Sequence, residues 1–282
     1  MHPVVNNEPV DRYGVMGYPV SHSRSPVIHR LFALQTRQNI QYELLQVEPD
    51  KLEAAISEFA AAGGKGLNIT VPHKSAAAAL VDQLSERATA AGAVNTLAFQ
   101  DGEIFGDNTD GSGLMRDLTR NLQLKIRDAN ILILGAGGAT RGILGPLLAA
   151  QPRTVTIANR TLSKAGELAE RFSSSGTVSA CRFREVSSAA GFDLVINATS
   201  AGLKGETPPY PESAITPETF CYDLSYGLTP TPFSRWAASR GARCTVMGWG
   251  MLVEQAAESF HLWRGVRPDT APVLKQIAIS AA

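Results

Sequence analysis

The stretch GLNITVPHK combines an apolar alternation with polar side chains at its end. The alternation predicts a short strand that runs into a proline, and Asn68, Thr70 and Lys74 lie at its carboxyl end or beyond it. Ligands of α/β sheets bind beyond the carboxyl ends of strands, so these side chains stand where a small substrate would bind. A lysine whose pKa is lowered by burial is a workable acid or base, which makes Lys74 the candidate for proton transfer. Taken alone, a lysine after a strand is more often an ordinary surface residue.

Two further polar clusters strengthen this interpretation. SHSRSP places Ser23 and Ser25 two residues apart before a predicted helix, as hydroxyl donors suited to a carboxylate. Ser25 followed by Pro26 also predicts a helix N-cap, and capping alone would explain Ser25 but not Ser23. GAVNT and GDNTDG place Asn95 and Asp110 in polar, glycine-flanked turns that follow apolar segments.

A glycine-rich turn follows an apolar strand in ILILGAGGATRG. This context predicts a dinucleotide site, in which Gly135 permits the tight turn and Gly137 lets pyrophosphate approach the backbone. The helix that follows offers free N–H groups to the phosphates. The motif departs from a strict GxGxxG, because Thr140 stands at the third glycine position and Gly138 and Ala139 supply the small residues. A glycine turn that binds no ligand is the alternative.

The next strand, TVTIA, ends in Asn159, Arg160 and Thr161, with Lys164 one turn further on. An NAD-specific site would place an Asp or Glu near this point to bind the ribose 2′-hydroxyl. A carboxylate would repel a 2′-phosphate, whereas Arg160 can bind one in a fork and Lys164 adds a charge. The pattern favours NADP, and the alternative is that both cations are solvated residues at a helix start.

The composition excludes several classes of protein. The chain has 282 residues, is 44% hydrophobic and carries a formal net charge of zero, which is typical of a well-packed soluble protein of one large or two ordinary domains. Balanced charge offers no electrostatic case for a nucleic-acid partner. The three cysteines lie far apart without a CxxC pair, so neither a disulfide framework nor a zinc site is indicated. No apolar run is long enough to span a bilayer and no export signal opens the chain, so we expect a cytoplasmic protein that binds small molecules.

The elements that must position these residues follow a βαβα rhythm. YGVMG and YELLQV read as strands, each followed by a predicted helix, and the second helix has a capping box formed by Asp50 and Glu53. Gly63 and Gly64 end that helix. This rhythm predicts the α/β class with a mostly parallel sheet.

The rhythm restarts at Asn130 with NILIL, then TVTIAN, a helix and the strands CRF, DLVIN and CYDL. The restart predicts a second α/β unit, which a helix beginning near Asp110 joins to the first. We expect a substrate domain at 1–110 and a nucleotide domain at 111–250. The last segment, 251–282, has an apolar helical face that we expect to pack back on the first domain.

The sequence resembles the shikimate dehydrogenase family in ten segments that follow the family's order: HSRSP, NITVPHK, GAVNT, GDNTDG, GAGGATRG, NRT, NATSAG, the tyrosine of DLSYG, TPF and GMLVEQAA. The resemblance spans nearly the whole chain. It implies two α/β domains, an N-terminal substrate domain and a Rossmann-type NADP-binding domain, with a cleft between them. It also implies reversible NADPH-dependent reduction of 3-dehydroshikimate to shikimate, a step of aromatic amino-acid biosynthesis.

The resemblance implies roles for individual residues. The catalytic pair matches Lys74 and Asp110. The substrate carboxylate is bound near Ser23, Ser25 and Tyr226, and its hydroxyl groups by Asn68, Thr70, Asn95 and Gln255. The cofactor phosphates match Gly135, Gly137, Gly138 and Ala139; the adenosine phosphate matches Asn159, Arg160, Thr161 and Lys164; the nicotinamide side matches Thr199 and Gly248.

The chain departs from many relatives at a few positions. Lys164 replaces a second arginine, which should weaken the fork for the 2′-phosphate, and Met247 and Trp249 flank Gly248 where DGLGML is common. We interpret His73 as a packing residue. Reduction of a ketone needs hydride at carbon and a proton at oxygen, so no metal is required. A nearby carboxylate favours a charged lysine, so we interpret Asp110 mainly as an orienting group and hydroxyl acceptor, and the proton route between Lys74 and Asp110 stays open at the level of the sequence.

Two alternatives to this function remain at the level of the sequence. One is oxidation of quinate or another shikimate-like polyol with NAD, which the missing acid at Asn159 disfavours. Ser25 also favours shikimate weakly, since quinate users tend to carry threonine there. The other alternative is a non-catalytic NADP sensor, which the presence of Lys74 and Asp110 disfavours. The sequence leaves the oligomeric state open, with a homodimer as one alternative.

Overall fold

A computed structural model describes residues 10–187, 191–199 and 209–281 of the chain. Its strands are β1 (Asp11–Gly17), β2 (Ile40–Gln46), β3 (Gly64–Ile69), β4 (Gln83–Leu84), β5 (Thr96–Gln100), β6 (Glu103–Asp107), β7 (Asn130–Leu134), β8 (Thr154–Ala158), β9 (Val178–Cys181), β10 (Leu194–Asn197), β11 (Phe220–Asp223) and β12 (Cys244–Met247). Its α-helices are α1 (Ser25–Thr36), α2 (Leu52–Ala61), α3 (Lys74–Ala77), α4 (Glu86–Ala91), α5 (Asp110–Arg116), α6 (Gly138–Ala149), α7 (Leu162–Arg171), α8 (Pro232–Ser239), α9 (Trp249–Arg264) and α10 (Thr270–Ala281). None of the helices described here is long and apolar enough to cross a membrane.

The chain divides into two compact units. The first holds Met1–Thr109 with Ala256–Val273, and the second holds Asp110–Gln255 with Leu274–Ala282. Each unit contains one six-stranded sheet, so the α/β class expected from the sequence is confirmed. The domain ranges 1–110 and 111–250, with 251–282 on the first, remain a prediction.

The sheet of the first unit has the strand order β2-β1-β3-β5-β6-β4 and is mixed. β1 pairs parallel with β2 and with β3, whereas β5 pairs antiparallel with β3 and with β6. The β5–β6 hairpin turns through Asp101 and Gly102, which both have positive φ, 52° and 84°. Asp-Gly is a strong hairpin signal, so this hairpin is predictable from the sequence.

The sheet of the second unit is parallel throughout, in the order β12-β11-β10-β7-β8-β9. This is the doubly wound dinucleotide-binding order, which reverses between β7 and β10. Along β7, Ile131 and Ile133 join one apolar cluster and Leu132 and Leu134 another, so the strand is buried on both faces. Continuous apolar strands such as ILIL are what a sheet covered on both faces requires.

Three local predictions differ from the structure. Arg24, not Ser25, is the N-cap of α1, because Pro26 is also tolerated at the second helical position, where the N–H is unpaired anyway. Asp50 lies within a 3₁₀ turn, Pro49–Lys51, and the N-cap of α2 is Lys51, so the predicted capping box is wrong.

The strand predicted at CRF ends at Cys181, and Phe183–Glu185 form a 3₁₀ turn. The carboxylate of Glu185 accepts the backbone N–H of Arg182 at 2.9 Å, which draws the chain out of the extended conformation. In contrast, the predicted stop after α2 is confirmed, since Gly63 has φ +82°, a conformation that glycine adopts without strain.

Candidate functional site

Three strand ends that carry predicted site residues meet at one edge of the first unit's sheet. β1 and β3 are parallel neighbours, so the loop with Ser23 and the turn with Thr70 leave their carboxyl ends together. β5 runs antiparallel to β3, so Asn95, which precedes β5, lies at the same edge. The backbone N–H of Thr70 donates to the carbonyl of Met16 at 2.9 Å and joins two of these ends.

Ser23 and Ser25 lie at the start of α1 and contact each other. The Ser23 hydroxyl donates to Oγ of Ser25 at 3.2 Å and accepts the backbone N–H of Ser25 at 3.3 Å. The expectation that capping explains Ser25 but not Ser23 was therefore wrong, because Ser23 is the residue whose oxygen meets a helix-start N–H. Two hydroxyls beside the first turn of a 12-residue helix form a place where an anion would be stabilised by the helix dipole.

Asn68 and Asn95 are almost fully buried in a polar network within the first unit. Asn68 accepts the Tyr42 hydroxyl at 2.6 Å and donates to Oγ of Ser259 at 3.0 Å. Asn95 accepts the backbone N–H of Thr109 and donates to its Oγ1, both at 2.8 Å. These bonds fix the orientation of both amides. Tyr42, Ser259 and Thr109 were missed from the sequence, since each lies in a different segment from the amide that it contacts.

Lys74 is the first residue of α3 and is half-buried. Its backbone carbonyl accepts the N–H of Val94 at 2.8 Å, and the N–H of His73 donates to the carbonyl of Thr70 at 2.9 Å. A ring nitrogen of the buried His73 contacts the carbonyl of Val47 at 2.8 Å. The interpretation of His73 as a packing residue is confirmed, and it anchors the backbone immediately before Lys74.

The GDNTDG segment contains two acidic residues in different settings. Asp107 ends β6, and Asp110 begins α5. Asp107 accepts Nε of Arg87 at 2.7 Å and the Ser85 hydroxyl at 2.6 Å. Burial acts to raise the pKa of Asp107, but the Arg87 and Ser85 bonds outweigh it and hold the pKa below its ordinary value. Asp110 begins α5 in the second unit and is 3% exposed.

The glycine turn of the second unit lies where the strand order reverses. Gly135 has φ +106°, and a Cβ there would lie 3.0 Å from the carbonyl oxygen of Ala198, just beyond β10. A Cβ at Gly137 would meet nothing within 4 Å, so the fold itself does not require that glycine. Thr140, at the third fingerprint position, is buried and donates its hydroxyl to the carbonyl of Gly135 at 2.8 Å. The hydrogen bond from Thr140 stabilises the turn internally. The open space at Gly137 fits a phosphate group that approaches the backbone.

Cations cluster at the end of β8 and the start of α7. Arg160 and Lys164 are exposed, and neither side chain makes a hydrogen bond or ion pair with any residue in the described part of the chain. Lys164 lies in the first turn of α7, and that turn contains no acidic residue. Cations at the positive end of a helix are unfavourable there. An anion bound between them would remove that repulsion, so the residues fit a 2′-phosphate. The Asn159 amide donates to the carbonyl of Thr161 at 2.9 Å and holds this loop.

The remaining predicted residues lie on loops and helices of the second unit. The rings of Tyr226 and Trp249 have centroids 4.6 Å apart. A Cβ at Gly248 would lie 2.6 Å from the carbonyl oxygen of Leu224, so glycine is required there by close backbone approach. The Gln255 amide donates to the carbonyl of Leu252 at 2.8 Å.

The sequence matches three family profiles along its length. They are the shikimate dehydrogenase substrate binding domain at 15–97, shikimate / quinate 5-dehydrogenase at 117–205, and the shikimate 5'-dehydrogenase C-terminal domain at 248–278. A relative from Alkalilimnicola ehrlichii, named shikimate dehydrogenase (NADP(+)), is 54% identical over 264 residues, which cover 94% of this chain and 97% of that one. The chain belongs to the shikimate dehydrogenase family.

Solved structures agree with this membership. An Ael1 enzyme from Pseudomonas putida is 45% identical, with a TM-score of 0.87 over 96% of this chain and 100% of that one. A shikimate 5-dehydrogenase structure from Thermus thermophilus, in complex with NADP(H) and shikimate, is 32% identical, with a TM-score of 0.83 over 97% of this chain and 100% of that one. Asp110 and Tyr226 lie outside the three matched segments, whereas Lys74 and the glycine turn lie inside them.

Proposed function

We propose that this member of the shikimate dehydrogenase family catalyses the reversible, NADPH-dependent reduction of 3-dehydroshikimate to shikimate. The observation that carries the proposal is that one chain contains both a set of residues suited to a small polar substrate and a set suited to a dinucleotide. One is the polar edge of the first unit's sheet, with Lys74 and the paired serines. The other is the glycine turn of the second unit with its neighbouring cations. The Thermus thermophilus relative, which holds both NADP(H) and shikimate, supports assigning the two sets to substrate and cofactor.

We assign the first set to the substrate. Ser23 and Ser25 bind the carboxylate, because two adjacent hydroxyls at a helix start suit an anion. Asn68, Thr70 and Asn95 bind the hydroxyl groups, and the internal bonds of both amides pre-organise them. Tyr226 and Gln255, from the second unit, complete the proposed set. We assign domain roles accordingly, with 1–110 and 251–282 for substrate and 111–250 for cofactor.

NADP is the proposed cofactor. Its pyrophosphate would be held by the turn of Gly135, Gly137, Gly138 and Ala139, and its 2′-phosphate by Asn159, Arg160, Thr161 and Lys164. Thr199 and Gly248 are assigned to the nicotinamide side. When bound, NADPH supplies the hydride that reduces the ketone carbon.

The chain supplies the proton that the ketone oxygen needs. Lys74 is the proposed acid, and in the reverse direction it takes the proton back as a base. Asp110 is proposed to orient Lys74 and to accept a substrate hydroxyl. The reaction is balanced by one hydride and one proton, so the residues need no metal for it.

Steady-state assays with shikimate and quinate, each with NADP and with NAD, test the proposal. We expect the highest kcat/KM with shikimate and NADP. Higher values with quinate or NAD would favour a quinate or polyol dehydrogenase, and no turnover with any pair would favour an NADP-binding sensor. Cell fractionation tests the proposed cytoplasmic location. Analytical ultracentrifugation measures the oligomeric state and so tests whether the chain forms a homodimer.

A lysine variant tests the proton donor. Lys74→Ala should lower kcat by roughly 10² to 10⁴ with little change in KM, the result expected when an interaction is used in the transition state. Lys65→Ala is the matched control, because Lys65 is an exposed lysine at the opposite end of β3. Equal rates for the two variants would contradict the role of Lys74.

A further inference from the structure

Asp223 is a buried carboxylate at the carboxyl end of β11, with 1% of its surface exposed. It accepts hydrogen bonds from three different segments. The Asn197 amide donates to Oδ1 at 2.9 Å, the backbone N–H of Ser225 donates to Oδ1 at 3.0 Å, and the Thr231 hydroxyl donates to Oδ2 at 2.5 Å. A buried carboxylate is stable only with such partners, so Asp223 holds these three groups in fixed positions.

Two of these partners, Asn197 and Ser225, hold loops beyond the sheet. Asn197, at the end of β10, uses its Oδ1 to accept both the hydroxyl of Thr199 at 2.7 Å and its backbone N–H at 3.2 Å. The carbonyl of Ser225 accepts the N–H of Gly248, just after β12, at 3.0 Å. The carboxyl ends of β10, β11 and β12 are therefore joined through one side chain.

Thr231 links the same carboxylate to a helix. It is the N-cap of α8, and its Oγ1 accepts the backbone N–H of Ser234 at 3.1 Å while its proton goes to Asp223. Loss of the Thr231 hydroxyl would leave one oxygen of Asp223 buried without that donor. The carboxylate would then shift toward its remaining partners, and the loops that they hold would move with it.

We propose that Asp223 is a positioning residue for hydride transfer, which sets the places of Thr199 and Gly248 without contacting the reacting atoms. The proposal rests on the proposed function, since the nicotinamide side is assigned there to these two residues. The adenosine 2′-phosphate is assigned to Arg160 and Lys164, at the end of β8 and the start of α7, whose side chains take no part in the hydrogen bonds of Asp223 and its partners. Disturbing Asp223 should therefore slow the chemical step and leave binding of the nucleotide's adenosine half unchanged.

Variants at Asp223 and at its partner Thr231, with a control just before β11, test the positioning role of Asp223. Thr231→Val removes the donor to Asp223, Thr231→Ser keeps it, and Asp223→Asn places an amide donor against existing donors. Thr219→Val is the matched control, because Thr219 is a buried threonine just before β11 whose hydroxyl donates to the carbonyl of Phe192 at 2.9 Å, away from the network. All are compared by thermal unfolding, by kcat, by the kinetic isotope effect with cofactor deuterated at the transferred position, and by affinity for 2′,5′-ADP.

We expect Thr231→Val and Asp223→Asn to lower kcat by up to about 10²-fold, the effect of misplacing a reacting group by about 1 Å, and to raise the isotope effect. Affinity for 2′,5′-ADP should not change, and Thr231→Ser should restore kcat. Thr219→Val should lower the unfolding temperature to a similar degree while kcat stays at the wild-type value.

Two outcomes would overturn the proposal. One is a kcat for Thr231→Val no lower than that for Thr219→Val at equal loss of thermal stability. The other is an equal loss of 2′,5′-ADP affinity and kcat, which would show that the whole unit had been disturbed. Absence of wild-type turnover with shikimate and NADP would count against the proposed function instead, so the two failures are distinguishable.

Discussion

We predict that His29 makes the stability of the first unit depend on pH. It lies on α1 with no exposed surface, and neither ring nitrogen has a hydrogen-bond partner among the residues that the structure describes. Its ring stacks on Tyr42 with centroids 4.2 Å apart and is surrounded by Phe32, Phe260 and Trp263. Burial disfavours the charged ring and outweighs the opposing effect of the nearby Asn68 side chain, so that the pKa of His29 falls from 6.5 to about 3.

The sign and size of the effect follow from these two values. In the unfolded chain the ring takes up a proton as the pH falls through 6.5, whereas in the folded chain it stays neutral until about 3. Stability is therefore complete above the unfolded pKa and is lost as the pH falls toward the folded one. At about 1.4 kcal/mol per pKa unit, the loss between about pH 8 and about pH 5 is about 2 kcal/mol, and it approaches about 5 kcal/mol in stronger acid.

His29→Phe keeps an aromatic ring and removes both nitrogens. We expect the free energy of unfolding of the wild type to fall by about 2 kcal/mol more than that of the variant between about pH 8 and about pH 5. Urea unfolding followed by circular dichroism, with equal slopes against denaturant, measures this difference. His261→Gln removes an exposed histidine of α9 and controls for loss of one ionisable ring.

Parallel pH profiles for the wild type and His29→Phe would refute the reasoning, because they would mean that His29 takes up its proton equally in both states. The NMR signal of the His29 ring, assigned by its absence from the variant, gives a second test. It should keep one chemical shift from about pH 8 to about pH 5, while the chain remains folded. A shift that moves over this range would show that the buried ring is protonated.

Two further predictions concern the second unit. Arg160→Ala should weaken the binding of NADP and leave the binding of NAD almost unaffected, because Arg–phosphate hydrogen bonds are about twice as strong as neutral ones. Asn159→Asp should move the cofactor preference further toward NAD. The measurement is kcat/KM for both cofactors, and an equal loss for both would show that Arg160 is only a solvated residue. Gly166→Ala in α7, where a Cβ meets nothing within 4 Å, should raise the free energy of unfolding by about 0.4 to 1 kcal/mol. Gly113→Ala, whose Cβ would lie 2.6 Å from the backbone nitrogen of Gln255, should lower it by about 1 to 3 kcal/mol, and thermal unfolding that ranks the two the other way would contradict the packing argument.

Short-range patterns determined much of what could be expected of this protein. The apolar run before Gly135 and the glycines after it were sufficient to predict a strand, a turn and a helix, because strand length and glycine placement are properties of neighbouring residues. The missing acid at Asn159, with Arg160 beside it, indicated NADP for the same reason. Lys74 could be singled out because it follows a strand directly. The Asp101–Gly102 dipeptide is a further local signal, since it is typical of a hairpin turn.

Only the tertiary structure decided which polar groups meet. Asn68 and Ser259 are separated by 191 residues, and no local pattern predicts their hydrogen bond. Asp223 reads as the end of one strand, yet it joins three loops because β11 lies beside β10 and β12. At the start of α1, the helix begins one residue earlier than expected, so Ser25 is its first residue and donates its backbone N–H to the Ser23 hydroxyl. The physical reason is the same in each case. A side-chain hydrogen bond depends on distances of about 3 Å between atoms. Strand order and helix boundaries set those distances, and sequence periodicity does not specify either to the nearest residue.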